Sequence, residues 1–179
     1  MASESDLYAP VKALLEGLGY EVKAEVKDCD VVASKAGAAP VVVELKLIFS
    51  LELVLQGIDR LKVSDSVYLA ISAPDTPTKR KNWRSRQRDI LKLCRMLGFG
   101  LILVALDRKT GRQTEVLLDP APYTPRKNKR QLVQLMAEFP ARAGDPNTGG
   151  VTQTKIITSY RQDALRCAAF LQTQGEAKV

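Results

Sequence analysis

Two charged residues interrupt an apolar segment that has the composition of a buried strand. Residues 41–47 are aliphatic apart from Glu44 and Lys46, and unbroken aliphatic runs are typical of strands covered on both faces. Because side chains alternate along a strand, Glu44 and Lys46 point to the same face. A charge on a covered strand is costly unless it is paired or binds a metal ion. The pair therefore indicates either a structural ion pair or a site of chemistry.

A third charge, Asp30, is predicted to join this pair. Residues 29–34 have the composition of a second strand, and residues 35–40 carry Gly37 in the middle of a turn-like segment. A hairpin folded about Gly37 places Asp30 opposite Glu44, provided that the register does not slip by one residue. Facing side chains have Cβ atoms about 5 Å apart, and like charges there destabilise the sheet. Two facing carboxylates therefore call for a cation between them.

The composition restricts the chemistry that such a site can perform. The chain contains no histidine, which excludes Ser-His-Asp and Cys-His nucleophiles, zinc–histidine sites and a histidine general base. Three widely spaced cysteines form no metal-binding pattern and indicate a reduced, cytoplasmic protein. Neither a transmembrane run nor the pattern of a signal peptide is present, so no membrane partner is expected. Carboxylates, lysine and water remain, and carboxylates suit Mg²⁺ or Mn²⁺.

The positive charge is concentrated in two segments. The chain has a formal net charge of +7, residues 79–95 hold eight basic residues and one acidic residue, and residues 126–130 hold four basic residues. Such patches predict a track for nucleic acid, although a solvated helix face is the alternative. Trp83 lies among these charges and either stacks on a base or anchors its helix to the core. The residues predicted to contact nucleic acid are Lys79, Arg80, Lys81, Arg84, Arg86 and Arg88.

Hydrophobic periodicity predicts the elements that position these residues. A helix precedes a meander of three strands, and helices then alternate with strands, which favours an α/β fold with a mixed central sheet flanked by helices. We predict a core domain over residues 1–120 and a basic, helical C-terminal extension over residues 121–179, the start of a helix-turn-helix-like appendage. A turn is predicted at residues 108–111. The helix over residues 50–61 is predicted to bury Leu51, Val54, Leu55, Ile58 and Leu61.

Asp30 followed by Glu44-x-Lys46, on the second and third strands, resembles the motif of the PD-(D/E)XK nuclease superfamily. Cys29 stands where that motif has a proline. Further segments around residues 5–8, 55–61, 82–84 and 160–165 are similar to a bacterial family of PD-(D/E)XK-type phosphodiesterases. The resemblance covers most of the chain and implies a restriction-endonuclease-like fold with the element order αβββαβαβ.

The resemblance also implies roles for individual residues. Asp30 and Glu44, with the carbonyl of Leu45, would hold a divalent metal ion, Mg²⁺ or Mn²⁺. Lys46 would orient the attacking water and help to deprotonate it. Gln56 resembles a glutamine that some branches of the superfamily carry on the helix after the motif strand. A carboxylate from the first helix, Glu4 or Asp6, would complete the site as in other branches.

Structural interpretations compete with each of these roles. Glu44 and Lys46 would form an ion pair at a strand end, Asp30 would be a turn residue, Gln56 a solvated helix residue and Asp6 a helix cap. The sequence thus predicts a metal-dependent phosphodiesterase, a nuclease that hydrolyses DNA. Many nucleases of this class form homodimers, so the resemblance leaves a homodimer open, but no segment of the sequence identifies an interface. The alternatives are a non-catalytic nucleic-acid-binding module with the same fold and a structural partner protein.

Overall fold

The computed structural model describes residues 2–106, 113–152 and 154–174 of the 179-residue chain. The chain divides into a first unit, Met1–Pro125, and a second unit, Arg126–Val179. The helices and strands of the described residues are α1 (Ser5–Gly17), β1 (Glu21–Val26), β2 (Cys29–Ser34), β3 (Val41–Lys46), α2 (Leu51–Arg60), β4 (Ser66–Ser72), α3 (Pro77–Leu97), β5 (Gly100–Ala105), β6 (Gln113–Leu118), α4 (Lys129–Ala141) and α5 (Ser159–Gln174). The turn predicted at residues 108–111 lies outside the described residues.

The first unit contains one six-stranded mixed sheet with the spatial order β1-β2-β3-β4-β5-β6. Strands β1, β2 and β3 form an antiparallel meander, whereas β3, β4 and β5 run parallel because α2 and α3 carry the chain back between them. Strand β6 closes the sheet as an antiparallel edge. This architecture confirms the predicted α/β class and the αβββαβαβ order, and it is compatible with a restriction-endonuclease-like fold.

Apolar clusters cover both faces of this sheet. On one face, Leu7, Val11 and Leu15 of α1 pack against buried strand residues. On the other face, α2 and α3 cover the sheet, with Phe99 fully buried among them. All five residues from Val41 to Leu45 are buried. Strand β3 is therefore covered on both sides, as its aliphatic composition predicted.

The prediction for the buried face of α2 was wrong. Three residues of the predicted stripe are exposed: Leu51 (73%), Leu55 (53%) and Ile58 (39%). Val54 is buried as predicted, but the residues that face the sheet with it are Leu53 and Gly57. A Cβ atom on Gly57 would lie 2.8 Å from the side chain of Leu69 and 3.0 Å from that of Phe99, so the helix approaches the sheet closely at this glycine. The rotation of the helix follows from this contact and from the polar residues beside it.

The second unit, considered by itself, contains α4 and α5, and neither helix buries a residue in the part of the chain that the structure describes. Its segments are joined by polar contacts. Asn147 forms two hydrogen bonds with the backbone of Ile157, at 2.7 and 2.8 Å, and Gln162 forms two with the backbone of Ala143 at the same distances. The predicted helix-turn-helix-like character of this extension stays a prediction.

Candidate active site

The hairpin of β2 and β3 has the register that the sequence predicted. Val31 pairs with Val43 and Ala33 with Val41, and the same register one step further brings Asp30 opposite Glu44. The connecting turn closes with a hydrogen bond of 3.1 Å from the Ala38 N–H to the Lys35 carbonyl, and Gly37 adopts a positive φ of 76°. A turn with glycine in this conformation fixes the register without steric cost.

The side chain of Asp30 binds the backbone of β3 just beyond the last paired residues of β2 and β3. Its Oδ2 atom accepts a hydrogen bond of 2.7 Å from the backbone N–H of Leu45. A carboxylate that accepts a backbone hydrogen bond is held in one orientation. Asp30 is half-buried and belongs to the sheet face that α2 covers, the same face as Glu44 and Lys46. The structure therefore brings the three predicted residues to one face of neighbouring strands.

Glu44 is fully buried, and among the residues that the structure describes only one of its two carboxylate oxygens has a partner. Its Oε1 atom accepts a hydrogen bond of 2.6 Å from Nε of Arg60, the last residue of α2. The same guanidinium donates to the backbone carbonyl of Asp28. Within the described residues, Oε2 has no hydrogen-bond partner. A buried acceptor left in this state is costly, so it marks a place where a cation or a donor fits.

The electrostatics of Glu44 reflect this mixed environment. Burial raises the pKa of its carboxyl group, the hydrogen bond from Arg60 lowers it, and the neighbouring Asp30 carboxylate raises it again, with a net increase. The hydrogen bond to Glu44 in turn raises the pKa of Arg60, so the guanidinium stays charged. Arg60 thus neutralises part of the charge that a metal ion would otherwise balance.

Lys46 lies at the edge of the site and pairs with carboxylates other than Glu44. Its Nζ atom lies 3.4 Å from Oε2 of Glu4 and 3.4 Å from Oε1 of Glu52. Burial lowers the pKa of Lys46, but these two carboxylates raise it by more, and the net shift is upward. The alternative interpretation, a structural ion pair between Glu44 and Lys46, is therefore not supported, because each residue has different partners. In this arrangement Lys46 is an ammonium group that donates hydrogen bonds.

The two candidate carboxylates from the start of the chain have different positions. Glu4 reaches Lys46, as described above, and so lies at the site. Asp6 accepts a hydrogen bond of 2.8 Å from the backbone N–H of Ser3 and one of 3.1 Å from its hydroxyl. These contacts hold the residue that precedes Glu4, the N-cap of α1, against the first turn of the helix. They support the interpretation of Asp6 as a capping residue.

Gln56 lies on α2 one turn before Arg60, on the side of the helix that faces away from the exposed stripe. Its side-chain Oε1 atom is buried and has no partner within the described residues. The interpretation of Gln56 as a solvated helix residue is therefore not supported. Arg60 was missed at the level of the sequence, although its i+4 spacing from Gln56 places both residues on one side of a helix.

The donor set is small but chemically suited to a hard divalent cation. No group of three or more histidine, cysteine, aspartate or glutamate residues that could hold a metal lies within residues 2–106, 113–152 and 154–174. The predicted set has only two carboxylates, Asp30 and Glu44, together with a backbone carbonyl. Oxygen donors of this kind suit Mg²⁺ or Mn²⁺, which keep several bound waters. The unpartnered oxygen of Glu44 is the structural feature that fits a cation here.

The basic residues of α3 fall into two groups according to helical spacing. All six predicted residues lie on this helix and are exposed. Lys79 and Arg86 share one side of the helix with Trp83 and line a cavity. The remaining four, Arg80, Lys81, Arg84 and Arg88, lie on other sides. The helix begins at Pro77, where the Thr76 hydroxyl accepts a hydrogen bond of 3.3 Å from the Lys79 N–H.

Part of the chain is similar to a known protein family. Residues 102–179 match the model of a family described as "Putative PD-(D/E)XK phosphodiesterase (DUF2161)". This is the superfamily that the Asp30, Glu44 and Lys46 pattern resembles, and the family description names a class of hydrolase. Phosphodiesterases of this class generally use divalent metal ions. No match to the chain was found among curated proteins or among solved structures.

The matched range and the candidate site lie in different parts of the chain. The match spans the end of the sheet, from within β5, and the whole of the second unit. Asp30, Glu44, Lys46 and Gln56 all precede it. The family match therefore does not bear on the roles of these four residues, which rest on the geometry of the first unit. Within the described residues, no helix has the length and apolar character needed to cross a membrane.

Proposed function

We propose that this protein is a metal-dependent nuclease that hydrolyses phosphodiester bonds in DNA. The observation that carries the proposal is the arrangement of Asp30, Glu44 and Lys46 on one sheet face, with a buried oxygen of Glu44 that lacks a protein partner. Such an oxygen in a covered strand suits a bound cation. The family match of residues 102–179 supports the same reaction class.

In this mechanism, the protein residues hold and orient the groups that react. Asp30 and Glu44, with the carbonyl of Leu45, would hold Mg²⁺ or Mn²⁺. The ion, when bound, supplies a Lewis acid that neutralises charge on the phosphate and activates water. Lys46 presents an ammonium group, held by Glu4 and Glu52, toward the charge that develops on the phosphate. Because its pKa is raised, Lys46 acts as a fixed positive charge and hydrogen-bond donor in this arrangement.

Two residues of α2 prepare the site for the ion. Arg60 donates to Oε1 of Glu44, so Oε2 would remain available to hold the ion. Gln56 contributes a buried amide oxygen that also lacks a partner in the described part of the chain. We assign to Gln56 the orientation of the attacking water. The basic residues of α3 would attract the nucleic acid electrostatically, an effect that falls as the salt concentration rises.

A cleavage assay with matched variants tests this proposal. Purified protein is incubated with labelled single-stranded DNA, duplex DNA and RNA, in Mg²⁺, in Mn²⁺ or in EDTA. We expect metal-dependent cleavage of DNA. Lys46→Met should slow it by about 10²–10³-fold, as expected for loss of one transition-state donor. Asp30→Asn and Glu44→Gln should abolish it. Asp59→Asn is the control, because Asp59 is an exposed carboxylate of α2 that pairs with Lys62.

The assay also separates the enzyme from its rival. The ion pair of Glu44 with Arg60 favours a second candidate, a nucleic-acid-binding module that keeps the fold without catalysis. Cleavage that survives EDTA, or that persists in both carboxylate variants, contradicts the proposed mechanism. Tight DNA binding without cleavage, together with no Mn²⁺ binding by calorimetry, would favour the non-catalytic module.

A further inference from the structure

A cavity of about 590 Å³ opens at the carboxyl ends of β3 and β4. Leu47 and Phe49, which directly follow β3, line one side of it, and Ile71 near the end of β4 lines another. Ile71 is the register partner of Lys46. The cavity therefore begins beside the residue that we propose to act on the phosphate. Its volume lies in the range of about 300–1,000 Å³ that is usual for small-molecule sites.

Helix α3 supplies the groups that give this cavity its chemical character. Asn82, Trp83 and Arg86 line it together with Lys79 and Ile90, at spacings that place all five on one side of the helix. Lys79 is paired with Asp75 at 2.8 Å. Among the described residues, the side chains of Asn82 and Arg86 have no hydrogen-bond or ion-pair partner. The apolar residues of the cavity thus lie next to the ring of Trp83. The amide of Asn82 and the guanidinium group of Arg86 are free to bind a ligand.

These groups match the parts of a nucleotide. A base has a flat apolar face that stacks on aromatic side chains and a polar edge that an asparagine amide can bind. Its phosphate is an anion that arginine binds. Trp83 also packs against the cluster under α2 and α3, so its ring is held in place at the cavity wall. In a duplex, the base faces are stacked and the pairing edges are occupied, so an unpaired nucleotide fits this cavity best.

We propose that the cavity binds the base of an unpaired nucleotide whose phosphate lies at Lys46. This inference rests on the proposed function, and it specifies the substrate as single-stranded DNA or an unpaired end. Trp83 would stack on the base, Asn82 would bind its edge, and Arg86 would bind an adjacent phosphate. A fully paired duplex would gain only the contacts of its backbone with the basic side chains of α3.

Binding in the presence of EDTA tests this assignment separately from hydrolysis. Trp83 is the single tryptophan of the chain, so tryptophan emission reports on the cavity. Three probes of equal length are compared: a single-stranded oligodeoxynucleotide, the same backbone without bases, and a blunt hairpin duplex. We expect the single strand to change the emission and to bind about tenfold more tightly than the abasic strand, as stacking of one base predicts.

Variants separate the base contact from general charge attraction. Trp83→Leu should remove the preference for the single strand over the abasic strand, measured by anisotropy of a labelled probe, whereas Trp83→Phe should retain most of it. Arg86→Ala should weaken binding more than Lys92→Ala, which removes an exposed charge of the same helix that does not line the cavity. If Trp83→Leu fails to fold by circular dichroism, Asn82→Ala provides the same comparison.

Each outcome separates the two proposals. Equal binding of the abasic strand, or equal binding of the duplex, overturns the assignment of the cavity even if metal-dependent hydrolysis is observed. Base-dependent binding without hydrolysis in Mg²⁺ or Mn²⁺ supports the assignment of the cavity and removes the proposed nuclease activity.

Discussion

The two units of this chain are stabilised in opposite ways. The first unit packs α1 against one face of a sheet and α2 and α3 against the other, with Phe99 and Leu53 fully buried. In the described part of the second unit, hydrophobic side chains such as Phe139, at 80% exposure, remain in solvent, and polar contacts join the segments. The first unit therefore has a core that can hold a buried charge in place, whereas the second unit depends on individual hydrogen bonds.

The same contrast separates the two lines of evidence about function. The family match covers the second unit and the end of the sheet, but the groups suited to chemistry lie in the first unit. A buried carboxylate such as Glu44 needs a surrounding core that excludes water. No residue of α4 or α5 offers such an environment among those that the structure describes. A reactive site is thus expected in the first unit.

The largest expected effect comes from a pair of phenylalanine-to-alanine substitutions, one in each unit. Phe99→Ala in the first unit should lower the free energy of unfolding by about 3–5 kcal/mol, because it leaves a cavity in the core. Phe139→Ala in the second unit should change it by less than about 0.5 kcal/mol, because the ring is exposed. Chemical denaturation of the full chain measures both. A large, concentration-dependent loss for Phe139→Ala would show that association covers this helix face.

Loss of the ion pair between Arg60 and Glu44 should have the next largest effect on stability. Arg60→Ala should destabilise the first unit by about 3 kcal/mol, because it leaves the Glu44 carboxylate buried without its partner. The double variant Arg60→Ala with Glu44→Gln should lose less. Arg142→Ala, which removes the guanidinium paired with Glu138 in the second unit, should cost less than about 1 kcal/mol.

Added Mn²⁺ tests whether Glu44 is a metal ligand. If Asp30 and Glu44 hold a divalent ion, Mn²⁺ should restore part of the stability of Arg60→Ala in thermal denaturation. The double variant lacks the Glu44 carboxylate and should respond less. An identical response of both proteins would argue against Glu44 as a metal ligand.

Two glycine-to-alanine substitutions, one in each unit, have a smaller expected effect on stability. Gly57→Ala places a Cβ atom 2.8 Å from the side chain of Leu69 and should cost about 1–3 kcal/mol through overpacking of α2 on the sheet. Gly149→Ala in the second unit meets nothing within 4 Å and should be nearly neutral. Denaturation midpoints measure both variants. A neutral Gly57→Ala would show that α2 can move away from the sheet, and with it Gln56 and Arg60.

Much of the first unit could be predicted from the sequence because local signals agreed with the final packing. The alternation of strand side chains and the glycine turn at Gly37 fixed the register of β2 with β3, and hence the common face of Asp30, Glu44 and Lys46. The αβββαβαβ order followed from the periodicity of the apolar residues. These features depend on residues that are close together in the sequence.

The orientation of α2 could not be predicted in the same way. Its apolar residues form a regular stripe, but the sheet-facing side is set by Gly57 and by the partner that Glu44 requires. Both conditions arise from contacts between distant parts of the chain. Arg60 was missed for the same reason, since its i+4 spacing from Gln56 does not by itself distinguish it from an exposed arginine. The contacts of Gly57 and Arg60, and not the apolar stripe, therefore set the side of α2 that faces the sheet.

The smallest expected effect concerns Glu138, on which the polar contacts of the second unit converge. The hydroxyl and the backbone N–H of Ser159 donate to its carboxylate at 2.6 and 2.9 Å, and Arg142 adds an ion pair. These interactions, the Ser159 hydroxyl first, lower the pKa of Glu138 from an ordinary 4.5 to about 2. Because the folded state has the lower pKa, this contribution to stability is fully present above pH 4.5 and is lost as the pH falls toward 2.

A pH titration followed by NMR measures this contribution locally. The backbone amide signal of Ser159 should change little above pH 4.5 and should shift with a midpoint near pH 2, the pKa of Glu138 in the folded state. Glu138→Gln should remove that transition and loosen the contact between α4 and the start of α5. Signals of the buried residues around Phe99 should not follow the same transition, because their packing does not involve this carboxylate. A Ser159 signal that titrates near 4.5 instead would mean that Glu138 is not held by these bonds, and that the second unit lacks one of the polar contacts that distinguish it from the first.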